Sequence, residues 1–466
     1  MFDLRIMPEQ STIKFDRQLP IFNWPYPFSR LEAFAGSGQQ IYADRDGGPV
    51  RRRAIYLHIP FCETICNFCP FSRERYTSAS VVEEYLDALI KEIALKERFL
   101  GRCAVNAIAV GGGTPSLLTP EQTTRLGAAI SRAFDLSALE EFTFELEVKS
   151  VSPQKLRAMR DIGVNRVSFG VQTFSDRYRK LFSLDADRQR VIESASLITS
   201  MFDYTNADLL YGMAGQGLDE LDDDLTAILD LRTTTLDVYP INNLSAPSAM
   251  HRAIKHAGLG FLPETERVRF RVHLEERLRE RGYAPISGYG FTAAGRDAAG
   301  PVRQSPKFLY HDLVYGYDDD EIIGYGSSAM SRRAGLNVCN IDNRRAYVKK
   351  VLDGGSLPHD RVGMIASPER GIVTFPFRGE LDKARVSWLH VPDETLLALR
   401  EAIDADLVVD EGPRYVLTKT GWLFYVNLMY HLMPTSGKQV ISAKIEQMEH
   451  SGRITGSTDL MDLVDA

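Results

Sequence analysis

Between Ala54 and Ile241 the chain alternates apolar runs of strand length with amphipathic helical stretches, and this pattern limits the fold more tightly than any other feature. Strands separated by helices return to the sheet in the same direction, so the pattern specifies repeated βα units and a parallel sheet. The apolar runs fall at 54–59, 106–110, 142–148, 165–172, 207–213 and 235–241. Helices are expected to open at Ser80-Val81-Val82-Glu83, a capping-box pattern, at Thr119-Pro120, and at Ser152-Pro153, with Gly163 as a stop. Others are expected at 176–182, 187–202 and 218–231. Six such units form an incomplete barrel, open on one side, so the expected fold class is α/β with a partial (β/α)6 barrel.

A length of 466 residues exceeds one ordinary domain. Residues 1–50 are rich in proline and aromatics and read as a strap or lid, or alternatively as a disordered leader. Trp24, Tyr26 and Phe28 either cover a flat substrate or simply anchor the segment. Residues 51–370 are expected to hold the barrel with a sheet extension. Its helix 263–282 carries Val268, Phe270, Leu274 and Leu278 on one stripe and packs on the sheet. Residues 371–466 form a smaller, mainly helical domain, with helices at 393–403 and 422–432 beside a strand at 415–417.

The formal charge of -7 argues against a dedicated nucleic-acid binder, and Arg51 to Arg53 read as a solvated approach to a strand. No apolar run approaches bilayer length, and the first ten residues lack a signal-peptide core. Five cysteines, three of them crowded together, make no disulfide framework. The reading is a cytoplasmic protein with no membrane or nucleic-acid partner, expected as a monomer.

Those three cysteines, Cys62, Cys66 and Cys69, follow the first apolar run in C-x3-C-x2-C spacing. Soft thiolates suit zinc or iron-sulfur clusters. Structural zinc sites and clusters that only carry electrons normally take four ligands, whereas three leave one iron open to bind something other than protein. The alternatives are three core cysteines, or a zinc or redox site completed by Cys103 or Cys339. Alternation along the preceding strand puts Tyr56 and His58 on one face, opposite Leu57 and Ile59, so Tyr56 is a candidate to guide a reacting intermediate. His58 is equally readable as a support beneath the loop.

The spacing, with Phe68 before the third cysteine, resembles the radical S-adenosylmethionine (SAM) superfamily. The lead-in Tyr56-Leu57-His58-Ile59-Pro60-Phe61 is similar to its branch of oxygen-independent coproporphyrinogen III oxidases and their relatives. The resemblance implies a 4Fe-4S cluster on Cys62, Cys66 and Cys69, and SAM on its open iron. It also implies a flavodoxin- or ferredoxin-type electron donor and a 5'-deoxyadenosyl radical. Gly111-Gly112-Gly113-Thr114-Pro115 matches the segment that contacts the methionyl group of SAM. Glu145 in FELEV matches a family glutamate, although Glu147 and Val148 depart from the Asn/Asp and Pro that usually follow. The segment from Gly163 to Phe174 is similar throughout and directs Gln172 at the nucleoside. Asp208-Leu209-Leu210-Tyr211-Gly212-Met213-Ala214-Gly215-Gln216 resembles the element that holds a second SAM, and Gly324 to Ala329 resembles a glycine-rich turn nearby, which adds Gly326 and Ala329.

Phe182-Ser183-Leu184 stands where the family has a glycine-arginine pair; Arg179 and Arg188 are the candidate substitutes for that arginine. Pro70 replaces a glycine, and the N-terminal R-Y-T-S-Y-P element of coproporphyrinogen oxidases is missing. On these departures the first expectation is an enzyme that uses the second SAM as a methyl or methylene donor. Its substrate would be a small planar or unsaturated molecule, a natural product or a tetrapyrrole, and the product a C-methylated or cyclopropanated one. Coproporphyrinogen III dehydrogenation is the second expectation and a non-catalytic haem carrier the third.

Overall fold

The computed structural model describes residues 50–241, 247–293, 308–364 and 367–443, the helix backbone onward to 450, and isolated residues and short stretches before 43. Seven parallel strands form its centre: β1 (Arg52–Ile59), β2 (Ala107–Gly112), β3 (Glu141–Glu147), β4 (Arg166–Gln172), β5 (Tyr204–Tyr211), β6 (Thr235–Pro240) and β7 (Asp320–Tyr325). They lie in the order β7-β1-β2-β3-β4-β5-β6, and short antiparallel strands extend both edges. The six expected units are therefore present. β7, which comes from the sheet extension, joins them beside β1, pairing Ile322 with Ala54 and Tyr325 with Leu57. Its short apolar core, Ile322-Ile323, gave no strand signal by itself.

The connecting helices are α1 (Ala79–Leu100), α2 (Pro120–Ala133), α3 (Pro153–Asp161), α4 (Asp176–Leu181), α5 (Arg188–Met201) and α6 (Leu218–Asp230). Thr119 caps α2 in a full capping box with Gln122. α1 is capped differently from the expectation. Ser78, in extended conformation, accepts the Val81 N–H, so the Ser80/Glu83 pattern lies inside the helix. In α7 (Glu264–Glu280), Phe270, Leu274 and Leu278 join the main core, whereas Val268 packs against Leu423 and Phe424. α8 (Leu309–Val314) plugs the amino-terminal end of the barrel, where Glu141 accepts the Leu309 and Tyr310 backbone N–H groups.

Of the three leading arginines only Arg51 is exposed. Arg52 pairs with Asp312 at 3.0 Å and Asp320 at 3.4 Å, and Arg53 pairs with Glu321. The solvated reading therefore fails for both, because β7 brings acids beside them.

α9 (Arg344–Leu352) packs on α1. α10 (Arg370–Arg378) spans the expected boundary at Gly371 and was not legible, because Gly371 and Pro376 both argue against a helix. The stretch 422–432 is broken at Phe424 into Lys419–Leu423 and Tyr425–His431. A second apolar cluster gathers α10 and these helices with Tyr289, Tyr315 and Tyr317. Ile13, Leu19 and Tyr26 of the leading segment join it, and the Tyr26 hydroxyl donates to Glu369. Tyr26 is thus an anchor; Trp24 and Phe28 lie outside the described residues.

Candidate functional site

Polar residues recur at every second position along the parallel strands. They are Tyr56 and His58 on β1, Thr143, Glu145 and Glu147 on β3, Arg166 and Ser168 on β4, Asn206 and Asp208 on β5, and Thr235, Asp237 and Tyr239 on β6. The intervening Ile55, Leu57, Phe142, Phe144, Val167, Phe169, Ala207, Leu236 and Val238 are buried in the apolar core. Period-two alternation turns the polar set toward the barrel lumen.

The lumen is tightly bonded. Asn206 Nδ2 donates to Asp208 Oδ1 at 2.8 Å and Asp237 Oδ2 at 3.2 Å, and Ser168 donates to Asp208 at 3.3 Å. Burial, then the charges of Asp237 and Glu145, holds the Asp208 carboxyl well above the usual range. Burial also raises Asp237. Arg166 opposes these acids from the base of β4, with its guanidinium 4.0 Å above the Phe308 ring. Asp237 was missed in the sequence, although the alternation of Thr235-Leu236-Asp237-Val238-Tyr239 carried the signal.

At the carboxyl ends of the strands lies the cysteine loop, Cys62 buried and Cys66 and Cys69 half-buried. The thiols are close enough to feel one another: burial, then the charge of Cys69, pushes Cys66 up to about 12. Burial raises the Cys62 thiol as well, and Thr114 offsets part of that rise. Among the described residues, no three His, Cys, Asp or Glu side chains converge on one point as a single metal ion requires. A cluster takes each thiolate on a different iron and fits such a spread. Cys103 precedes β2, at the opposite end of the parallel strands and so about 20 Å away; Cys339 lies three strand spacings, about 14 Å, from β1. Neither lies close enough to complete the loop's ligand set.

Asn67 fastens the loop to the end of α4, its N–H donating to the Phe182 carbonyl at 3.0 Å and its Nδ2 to Leu181 O and Ser183 Oγ. Phe68 meets the Phe182 ring edge-on at 5.5 Å. Ser183 is therefore a latch residue, in left-handed backbone conformation. Arg179 does not replace the missing arginine, since it spends its donors on the Val171, Thr173 and Ala186 carbonyls. Arg188 lies exposed against the Phe174 ring.

The glycines have a protein reason. A Cβ at Gly113 would sit 2.7 Å from the Phe61 carbonyl oxygen, and at Gly111 2.7 Å from the Glu145 carboxylate. Gly112, at φ 116°, donates its N–H to Glu145 Oε2 at 3.1 Å. Close approach is thus of chain to chain here, with Glu145 fixed beneath the loop. Glu147 is half-buried near the thiols, and its Oε2 is buried with no hydrogen-bond partner among the described residues. Gln172 ends β4 at φ 71°, after a register shift, an uncommon conformation for a non-glycine residue that re-aims its side chain.

Gly326, at φ 97°, and Ala329 form the turn after β7 against the first strand; Gly326 lies beside the His58 carbonyl and the Tyr85 hydroxyl. Asp208 lies five positions along the sheet from β7, with Ser168, Asn206 and Asp237 as its neighbours. These two do not touch.

His58 Nε2 lies 3.0 Å from the Ser72 carbonyl, which can only accept, so Nε2 carries the proton and Nδ1 accepts from the Tyr56 hydroxyl at 3.0 Å. Burial lowers His58 to about 4, which keeps it neutral. Tyr56 stacks on Tyr310 at 5.7 Å. His58 therefore links the Ser72 carbonyl of the loop to the Tyr56 phenol and orients it. Tyr56→Phe is expected to keep its iron and its 5'-deoxyadenosine formation but convert a smaller share of that radical into product; unchanged coupling would remove the hydroxyl's role.

Residues 56–228 match the family described as the radical SAM superfamily. The heme chaperone HemW of Bacillus subtilis is 27% identical over 305 residues, covering 65% of this chain and 77% of that protein. Anaerobic coproporphyrinogen III oxidase 1 of Cereibacter sphaeroides is 26% identical over 355 residues, 74% of this chain and 76% of that one. The solved coproporphyrinogen III oxidase (HemN) of Escherichia coli, a radical SAM enzyme, superposes with TM-score 0.73 at 22% identity, over 87% of this chain and 96% of that chain, and so shares its fold. No helix among the described residues is long and apolar enough to cross a membrane.

Proposed function

We propose that this chain, whose residues 56–228 match the radical SAM superfamily and whose relatives include coproporphyrinogen oxidases and HemW, is an enzyme that oxidises a tetrapyrrole by hydrogen abstraction. Coproporphyrinogen-type dehydrogenation is the leading reaction. The observation that carries this reading is the convergence at one rim of three thiols, Glu145, the left-handed Gln172 and a lumen of alternating polar side chains. When bound, the cluster and SAM supply a 5'-deoxyadenosyl radical. Cys62, Cys66 and Cys69 hold the cluster. Glu147, with its unpartnered oxygen, and Gln172 are suited to SAM, while Asp208 and Asp237 accept N–H donors deeper in the lumen. Tyr56 and Tyr310 offer a flat wall for a flat ring.

The names of the relatives, heme chaperone and coproporphyrinogen oxidase, weigh toward a tetrapyrrole and move dehydrogenation ahead of the methyl transfer expected from the sequence. Ser183 favours methyl transfer as a second reading, since the latch to Asn67 replaces an arginine the oxidases carry. The deciding experiment is anaerobic turnover with dithionite, SAM and coproporphyrinogen III. 5'-Deoxyadenosine with matching release of carbon dioxide is the expected result. S-adenosylhomocysteine rising in step with 5'-deoxyadenosine would establish methyl transfer instead, and no 5'-deoxyadenosine at all would leave a carrier.

A further inference from the structure

We propose that the groove between the short strand Glu74–Arg75 and α9 is the docking face for a small acidic one-electron carrier protein, of the flavodoxin or ferredoxin type. The proposal rests on the radical reading above, which requires an electron from outside the chain. The transfer itself makes and breaks no bond: the carrier is oxidised by one electron and the iron-sulfur group is reduced by one.

Position is the first argument. Glu74–Arg75 pairs with Phe61–Cys62, so Arg75 stands directly across the ladder from Cys62. The next residue, Tyr76, donates its N–H to the Cys62 carbonyl at 2.7 Å. The strand at the groove's edge is therefore backbone-bonded to the residue that carries one thiol of the loop. A carrier seated there has a short covalent and hydrogen-bonded path inward, and it leaves the lumen free for substrate.

Charge is the second argument. The groove has a volume of about 640 Å³ and is lined by Arg75, Arg344, Arg345 and Lys349. Its acids are Glu74, Glu84 and Asp353, of which Glu74 is taken by the Arg344 guanidinium. Along its nine residues α9 carries Arg344, Arg345, Lys349 and Lys350 and no acid. In a chain whose net charge is -7, this helix is locally basic. Arg75, Arg345 and Lys349 are exposed, as steering charges must be. Half-buried Val81 and Leu352 add apolar surface beside these charges, and redox encounters use small, weak interfaces.

The test uses the reconstituted protein and a purified acidic flavodoxin carrying its flavin. Oxidised flavodoxin is expected to bind the wild type with an affinity that falls as salt is raised. The double variant Arg345→Glu/Lys349→Glu is expected to weaken binding roughly tenfold or more. In it, photoreduced flavodoxin should reduce the cluster more slowly by electron paramagnetic resonance, while reduction by dithionite is unchanged. The neutral pair Arg345→Gln/Lys349→Gln, a guard against misfolding, should fall between, and Arg414→Glu, on a remote exposed strand, should bind as wild type. Undiminished binding by the double-glutamate variant, or an equal loss in Arg414→Glu, overturns the proposal. Failure to assemble any cluster would sink the radical reading alone, since the flavodoxin titration reads the docking face directly.

Discussion

Replacing any one of Cys62, Cys66 or Cys69 by alanine is expected to abolish the iron-sulfur absorbance of the anaerobically reconstituted protein and to reduce 5'-deoxyadenosine to background. The three thiols share one loop, and neither of the other two cysteines is near it. Cys103 belongs to the far end of the barrel, and Cys339 sits about 14 Å away across three strands. Cys103→Ala and Cys339→Ala should therefore keep full iron content. Loss of the cluster in either would show that a fourth protein ligand exists, and the open-iron reading would fail.

Glu92→Leu should lower stability by about 3–5 kcal/mol, seen as a lower urea midpoint. Glu92 and Lys96 pair at 2.7 Å with both side chains fully buried. The carboxylate also accepts the Gly326 N–H at 2.8 Å, the Tyr347 hydroxyl at 2.7 Å and Asn340 Nδ2 at 2.8 Å. Removing it strands a buried ammonium and three donors, and it frees the turn that carries Gly326 and Ala329. Replacing both partners, as Glu92→Leu/Lys96→Met, should recover part of the loss, because no uncompensated charge then remains. A single variant within about 1 kcal/mol of wild type would mean that water or a shifted side chain reaches Lys96.

The parallel core was legible because its signals are local. A strand such as Phe142-Thr143-Phe144-Glu145-Leu146 and a cap such as Thr119-Pro120-Glu121-Gln122 announce themselves within a few residues. The cysteine loop was legible for the same reason. What the sequence hid was set by partners far along the chain. β7 reads as a strand only because β1 lies about 268 residues earlier in register, and Arg52 and Arg53 look solvated until that pairing brings Asp320 and Glu321 beside them. Ser78 caps α1 although only Ser80 has an acid three residues on, because Ser78 is the residue in extended conformation. Ser183 was legible as a departure, but its bond to Asn67 was not, since it spans 116 residues. The lumen acids were within reach, because strict alternation on β5 and β6 exposes them once both strands are accepted as barrel staves.

The fastening of the cysteine loop bears on how this protein ages in air. Asn67 ties the loop to Leu181, Phe182 and Ser183, the Thr114 N–H holds the Phe61 carbonyl, and the Glu74 N–H holds that of Pro60. All of these bonds run from protein to protein, so the loop keeps its shape when iron is stripped by oxygen. Damage then removes the contents and leaves the vessel. Refilling asks only for iron, sulfide and reduced thiols, with no segment to refold and little ordering entropy to overcome. A loop fastened this way would refill after oxidative loss without refolding, with the oxidation state of its sulfurs as the limit.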